Sequence, residues 1–284
     1  KVVNLDAYNM PPCLLVKSDG SSLYATRDIA AAIWRKKEYD FDKCLYVVAY
    51  QQNLHFKQFF KVLELAGLPW AKDLVHVAYG MVSLEDGAMS TRKGNVVLLR
   101  DVINKAVSKA DEIITAKNPN LPDKAKVAEQ VGIGAVLFSA LENSKIKDII
   151  FTFDRVLNFD GETAPYLQYT RARCNSIVEK AGNGADAKIM PDFNALDNVE
   201  TLRLCKLLAM FPSVVKDAAF KYEPSILSGY LIDVAQSFNR FYIEHRVLCD
   251  DLGEQAARLM VVRAVGTVLK KGLALLGIES PDQM

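Results

Sequence analysis

The sequence contains no hydrophobic run of the roughly 20 residues that a membrane-spanning helix requires. It also shows no secretory signal pattern, since it starts at Lys1-Val2-Val3-Asn4 without a methionine. We therefore expect a segment from the middle of a longer polypeptide, with no membrane partner.

Cysteine and histidine are scarce and scattered. The five cysteines lie far apart, with no Cys-x-x-Cys pair and no histidine cluster beside them. This spacing argues against a disulfide framework and against a metal site. We expect no resident metal and a reducing, cytoplasmic location.

An excess of either charge is also missing. The 35 Lys and Arg residues nearly balance the 34 Asp and Glu residues, which leaves a net charge of +1. A broad basic field that would attract nucleic acid in bulk is thus excluded. Any nucleic acid that binds must use local cationic patches and stacking on rings.

The chain of 284 residues is long enough for about two domains. A continuous apolar run at Cys44–Ala49 is typical of a buried parallel strand, and residues 74–81 alternate like a second strand. A helical spacing connects the apolar residues between them, Phe56, Phe59, Phe60, Leu63 and Leu65. Strand–helix–strand order predicts an α/β layer with a parallel sheet, whose ligands lie at the carboxyl ends of the strands.

From Lys124 onward the pattern is almost entirely helical. Apolar residues repeat every three or four positions over 227–241, and a last helix spans roughly 255–276 before Gly277. A surface loop is expected over 182–195. These features predict a helical bundle for the second half of the chain.

Two helix starts are predicted from capping residues. Thr26 is a candidate cap for a helix that runs to about residue 34 or 35. Residues 197–200 have the spacing of a capping box.

The most informative segment is Met89-Ser90-Thr91-Arg92-Lys93-Gly94, where two adjacent cations lie between small hydroxyls and a glycine. Such a loop suits a polyphosphate whose charge grows during a reaction, because cations aimed at developing charge lower the barrier. On spacing alone, a solvated hairpin tip remains the alternative.

Polar residues lie close to the ends of the predicted strands. Tyr24 and Asp28 share one helix face, and a carboxylate with a tyrosine ring suits a bound cation. Gln52 and His55 directly follow the strand at Cys44–Ala49. The alternatives are an acid placed to suit the helix dipole and a polar loop with a surface histidine.

A third set lies within residues 157–173. It offers stacking rings, an amide and cations, which are the means of binding unpaired RNA bases: Tyr166, Gln168, Tyr169, Arg171 and Arg173. Tyrosine and leucine at helical spacing are also common in protein cores, so a structural role is the alternative.

These motifs, in this order, resemble those of arginyl-tRNA synthetases, a family of class I aminoacyl-tRNA synthetases. The cationic loop is similar to the Lys-Met-Ser-Lys-Ser motif in the form Met-Ser-Thr-Arg-Lys-Gly, although Ala88 replaces the first lysine and Thr91 holds the fourth position. The resemblance implies an α/β Rossmann-type catalytic half-domain with a parallel sheet, followed by an all-α helical-bundle anticodon-binding domain. The implied ranges are 1–105 for the catalytic part, 106–150 for a helical connection and 151–284 for the anticodon-binding domain.

The resemblance also implies roles for individual residues. Arg92 and Lys93 would be catalytic, by neutralising the leaving pyrophosphate; which of the two contacts the phosphates stays open. Tyr24, Asp28 and Gln52 would contact the substrate arginine. The implied ATP contacts are His55, Met81, Val82, Met89, Ser90 and Thr91. The implied tRNA contacts are Tyr166, Gln168, Tyr169, Arg171, Arg173 and the terminal Met284.

The implied function is arginine–tRNA ligation by a monomer, with ATP (Mg²⁺ as its counter-ion), L-arginine and the tRNA for arginine as partners. The His-x-Gly-His motif of class I synthetases does not occur in this sequence, whose three histidines are isolated. We therefore expect the chain by itself not to form adenylate at a useful rate. The alternatives are a non-catalytic tRNA-binding module, another class I synthetase, and a helical interaction protein without an RNA role.

Overall fold

The computed structural model describes residues 1–84, 98–159, 161–182 and 189–284. The chain divides into two compact units. Unit 1 comprises residues 1–81 and 146–148, and unit 2 comprises residues 82–145 and 149–284.

Unit 1 is an α/β unit built around a parallel strand pair. Its strands are β1 (Val2–Val3), β2 (Cys13–Leu14), β3 (Cys44–Ala49) and β4 (Leu74–Tyr79), and its helices are α1 (Tyr24–Tyr39) and α2 (Asn53–Leu65). Strands β3 and β4 run parallel, with Cys44 opposite Leu74 and Ala49 opposite Tyr79. The β3–α2–β4 order confirms the predicted strand–helix–strand layer.

One face of this strand pair carries the core of unit 1. The ring of Tyr46 packs against Phe56, Phe59 and Phe60, with centroid distances of 5.3, 5.7 and 5.6 Å. On the other face, the side chains of Leu45 and Val47 are 45% and 64% exposed. The prediction of a buried strand is therefore correct for one face only, because successive side chains point to opposite faces and α2 covers one of them.

Helix α1 begins earlier than the cap at Thr26 predicted. Its first residue is Tyr24, and its N-cap residue, Leu23, makes no side-chain capping bond. The Thr26 hydroxyl instead donates to the carbonyl oxygen of Leu15. Thr26 therefore ties the helix to the preceding segment and does not cap it.

Unit 2 is mainly helical. Strands β5 (Val82–Leu84) and β6 (Ile149–Phe151) form a short parallel pair. The helices are α3 (Leu99–Lys117), α4 (Lys124–Leu141), α5 (Phe153–Val156), α6 (Ala164–Ala181), α7 (Val199–Lys221), α8 (Pro224–Glu244) and α9 (Leu252–Leu275). None of the helices in the described ranges is both long and apolar enough to cross a bilayer. The predicted helical bundle is confirmed.

Helices α6, α7, α8 and α9 share one hydrophobic core. The apolar repeat over 227–241 lies on α8 and is buried there, with Leu231, Val234, Phe238 and Phe241 fully inaccessible to solvent. Helix α9 ends just before Gly277, whose φ of +75° explains why glycine follows the helix. Both features agree with the sequence pattern.

The capping box over 197–200 is displaced by one residue. Asn198 is the N-cap of α7, and its side chain accepts from the backbone N–H of Thr201 at 2.9 Å. Asp197 instead follows the 3₁₀ turn Phe193–Leu196. Part of the predicted loop over 182–195, residues 183–188, lies outside the described residues.

Candidate functional site

The first candidate site joins the starts of α1 and α2 within unit 1. Asp28, on the first turns of α1, forms a hydrogen bond with His55 on α2, with Oδ2 and Nε2 2.7 Å apart. The Asp28 side chain is 41% exposed and that of His55 is 25% exposed. The sequence analysis assigned Asp28 to substrate arginine and His55 to ATP. In the structure these two side chains touch each other.

Tyr24 and Gln52 lie beside this pair in the chain and are accessible. Tyr24 is the first residue of α1, one helical turn before Asp28, and its side chain is 79% exposed. Gln52 ends the 3₁₀ turn Tyr50–Gln52, immediately before α2 and three residues before His55. All four side chains therefore belong to the N-terminal ends of two helices that touch.

The segment after β4 is held by a carboxylate. The backbone N–H of Met81 donates to Oδ1 of Asp148 at 2.6 Å, and the hydroxyl of Tyr50 donates to Oδ2 at 3.5 Å. A Cβ on Gly80 would lie 2.3 Å from the carbonyl oxygen of Lys147, so only glycine permits this approach. The Met81 amide, in a segment that the sequence analysis assigned to ATP, is thus engaged by Asp148.

The predicted residues Met89, Ser90, Thr91, Arg92 and Lys93 lie outside the described residues.

The second candidate site is a cleft of about 1120 Å³ in unit 2, lined by parts of α6 and α8, the segment 118–122 and the last two residues. Tyr169 and Tyr242 contribute half-exposed rings to its wall. The guanidinium of Arg173 lies over both rings, 4.9 Å from the centroid of Tyr169 and 5.6 Å from that of Tyr242. Rings and a cation at one concave surface can stack on and neutralise a nucleic acid.

Hydrogen bonds fix Arg173 in this cleft. Its Nη1 donates to Oδ1 of Asn239 at 3.0 Å, and Nδ2 of Asn239 donates to the hydroxyl of Tyr166 at 2.8 Å. Tyr166 is half-buried. In this arrangement Tyr166 supports Arg173 through Asn239; both are half-buried, and Tyr169 is the more exposed residue.

Gln168 and Arg171, which the sequence analysis predicted as tRNA contacts, are buried in this structure. The side chain of Gln168 is fully inaccessible, and its Nε2 donates to the carbonyl oxygens of Gln130 and Glu279 at 3.0 and 2.7 Å. Arg171 is 4% exposed and donates from Nη1 to the carbonyl oxygen of Pro281 at 2.7 Å. Both residues hold the C-terminal segment of the chain, so their place in this structure is structural.

We call this arrangement the tail clamp: Gln168, Arg171 and Asn175 of α6 bound to residues 279–282. Nη2 of Arg171 lies 2.5 Å from Oδ1 of Asp282, and Nδ2 of Asn175 donates to the same oxygen at 3.1 Å. The hydrogen bond from Arg171 holds the pKa of the Asp282 carboxyl below its usual value. The clamp places Gln283 and Met284 in the wall of the cleft.

The sequence analysis missed Asn239 and Tyr242. Both lie on α8, whose apolar stripe drew attention to Phe238 and Phe241 instead. Their positions directly after Phe238 and Phe241 could have indicated them, because residues adjacent in sequence to a buried stripe lie on its flank, where polar groups can reach a surface cleft.

Comparison with known proteins identifies the family. Residues 1–153 match the family described as tRNA synthetases class I (R), catalytic domain, and residues 167–284 match the DALR anticodon binding domain. The chain belongs to the arginyl class of class I tRNA synthetases.

Individual relatives agree with this assignment. The chain is 52% identical over 284 residues to an arginine–tRNA ligase of Halothermothrix orenii and 49% identical to one of Clostridioides difficile, which it covers to 50% of their length in each case. Among solved structures, the Thermus thermophilus arginyl-tRNA synthetase aligns at a TM-score of 0.88 and 31% identity, over 96% of this chain and 51% of that one. The Plasmodium falciparum arginyl-tRNA synthetase, at 22% identity and a TM-score of 0.84, shares the fold over 100% of this chain and 50% of that one.

The catalytic match covers unit 1 and extends through α3 and α4 of unit 2, and the anticodon-binding match covers the rest of unit 2 from residue 167. The chain spans about half the length of the curated relatives that it matches. The Asp28–His55 pair lies within the catalytic match, and the tyrosines of the cleft lie within the anticodon-binding match.

Proposed function

We propose that this chain is part of an arginine–tRNA ligase, which joins arginine to ATP as an adenylate and transfers the arginyl group to the terminal ribose of its tRNA. The observation that carries the proposal is the match of the whole chain, at about half identity, to arginine–tRNA ligases. The two candidate sites add the chemistry that such a function needs.

Substrate arginine would bind at the start of α1 and α2. Asp28 is a half-exposed carboxylate that, within the described residues, pairs with no lysine or arginine. A guanidinium would supply that missing cation through charge-assisted hydrogen bonds. Tyr24 would add a hydroxyl and a ring face, and Gln52 an amide that orients the substrate without adding charge.

ATP would be activated by position and electrostatics, because aligning the arginine carboxylate with the α-phosphate requires no covalent step by the protein. Arg92 and Lys93 would neutralise the leaving pyrophosphate, with Met89, Ser90 and Thr91 beside them and Met81 and Val82 near the base. Mg²⁺ would accompany the triphosphate as counter-ion. Phosphate oxygens and water would hold the ion.

The tRNA would bind in the cleft of unit 2. Tyr169 and Tyr242 would stack on unpaired bases, and Arg173 would meet a phosphate or a base edge. Tyr166 would act through Asn239, and Gln168 and Arg171 through the tail clamp that positions Met284.

A kinetic test separates this function from that of a non-catalytic tRNA-binding module. In the full-length ligase, replacing Arg92 and Lys93 together by Ala should lower kcat for tRNA charging by about 100-fold or more, because removal of one donor to developing charge costs on the order of 10²–10³ in kcat. The dissociation constant for tRNA should stay within a few-fold of its original value.

The matched control is Lys270→Ala with Lys271→Ala, an adjacent pair of exposed cations on α9. This variant should keep the original kcat. Unchanged charging by the Arg92/Lys93 variant would reject the catalytic role of the loop and favour the binding-module alternative.

A further inference from the structure

The imidazole of His55 is held in place by packing as well as by Asp28. Its ring stacks on Phe59 with a centroid distance of 6.1 Å and meets Phe56 edge-on at 5.3 Å. Both phenylalanines are core residues of unit 1, at 0% and 5% exposure. The position of Nε2 is therefore set by the core of the unit and not by a mobile surface side chain.

Asp28 has the opposite character. Its side chain is 41% exposed and, within the described residues, His55 is its one hydrogen-bond partner, through Oδ2. The other oxygen, Oδ1, has no partner among those residues. A half-exposed carboxylate without such a bond would sample several rotamers, and a ligand would then have to order it on binding.

We propose that His55 is a positioning residue for arginine: its Nε2 fixes the rotamer of Asp28 so that the carboxylate is already ordered when the guanidinium arrives. This inference rests on the proposed function, since it takes Asp28 as the arginine contact. It moves His55 from the nucleotide side of the site, where the family resemblance had placed it, to the amino-acid side. In the tautomer with the proton on Nε2, His55 donates its N–H to Oδ2 of Asp28.

The competing explanation is that the pair only fastens α1 to α2. If the pair only fastens the helices, its loss should lower the thermal stability and change the KM of all three substrates to a similar extent. A positioning role acts through one carboxylate, so it should change the KM for arginine and leave the KM for ATP and for tRNA unchanged. The effect of replacing His55 on the KM for arginine should also disappear when the carboxylate of Asp28 is removed.

The experiment measures steady-state charging and thermal unfolding in the full-length ligase. His55→Phe keeps a ring against Phe59 but removes the donor, and should raise the KM for arginine about three- to tenfold, the equivalent of ordering one side chain on binding. His55→Gln, which places an N–H at a similar reach, should restore the KM to within about twofold of the original value. In an Asp28→Asn background, His55→Phe should add little, because the two residues act as one unit.

His245 supplies the matched control. It forms the same kind of pair in unit 2, with Nε2 3.3 Å from Oε2 of Glu200 and side-chain exposures of 21% and 36%, and its ring lies 5.6 Å from that of Phe241. His245→Phe should leave the KM for arginine unchanged.

The outcomes distinguish this inference from the proposed function. If Asp28→Asn raises the KM for arginine but His55→Phe does not, or if His55→Phe raises every KM and adds fully to Asp28→Asn, the positioning role is wrong and the arginine pocket stands. If Asp28→Asn itself leaves the KM for arginine unchanged, the proposed pocket is wrong and the role of His55 falls with it.

Discussion

At the scale of residues, helix α6 shows how burial divides one motif into two sets of side chains. Tyr169 and Arg173 are four residues apart and line the cleft, whereas Gln168, Arg171 and Asn175 lie on another side of the helix and hold the tail. Residues that are four apart share a helix face, and neighbouring residues do not. The residue types alone did not reveal this division, because an arginine can bind RNA or a carbonyl oxygen equally well.

Replacing Tyr169 by Ala tests the cleft. Loss of one stacking ring should weaken binding of the tRNA by about tenfold, since stacking on an aromatic side chain contributes roughly 1–3 kcal/mol per base. The measurement is the dissociation constant of the full-length ligase for a tRNA transcript at fixed salt.

Phe220→Ala is the control for this prediction, because Phe220 is 84% exposed on α7 and does not line the cleft. It should bind tRNA as the unaltered protein does. A loss of binding in Phe220→Ala with none in Tyr169→Ala would place the RNA on a different surface.

At the scale of elements, the approach of α3 to α4 depends on a single missing side chain. A Cβ on Gly132 would lie 2.6 Å from Cα of Val107, a backbone atom that cannot move without shifting α3. Glycine is otherwise unfavourable inside a helix. Its presence within α4 is therefore explained by close packing.

Gly132→Ala should destabilise unit 2 by about 1–3 kcal/mol, the usual cost of forcing extra volume into a packed site. Gly229→Ala, within α8, is the matched change, because a Cβ there would meet no atom within 4 Å. It should be neutral or should stabilise the protein by up to about 1 kcal/mol. Thermal unfolding followed by circular dichroism at 222 nm checks both, and equal midpoints for the two variants would contradict the packing argument.

At the scale of the whole molecule, each unit has a core of its own. Among the residues that the structure describes, the two hydrophobic clusters of unit 1 contain only unit 1 residues, and the two clusters of unit 2 contain only unit 2 residues. Separate cores favour separate unfolding transitions. Tryptophan fluorescence can report on unit 1 alone, because both tryptophans of the chain, Trp34 and Trp70, belong to unit 1.

We expect the two transitions to be resolved in urea. Tryptophan fluorescence should follow unit 1, and ellipticity at 222 nm should follow mainly the helices of unit 2, so the two midpoints should differ. Gly132→Ala should move the ellipticity midpoint and leave the fluorescence midpoint in place. Coincident curves that move together in the variant would show instead that the chain unfolds as one cooperative body.

The sequence by itself determined the local features of this protein. Periodicity fixed the type of the main elements, as in α2 and α8, because helix and strand patterns depend on the alternation of apolar residues along the chain. The motifs likewise indicated the family, which the comparisons confirm. The predicted helix starts were wrong by a few residues. Thr26 and Asp197 have side chains that can cap a helix, but Leu23 and Asn198 are the N-cap residues.

Only the tertiary structure decided which side chains meet. The contact of Asp28 with His55 joins residues 27 positions apart, and the contact of Arg171 with Pro281 joins residues 110 positions apart. A local pattern carries no information about such pairs, because they arise where separate elements pack together. Burial then separates the two guanidinium groups: that of Arg171 is enclosed by the tail, and that of Arg173 lies over half-exposed rings at the wall of the cleft.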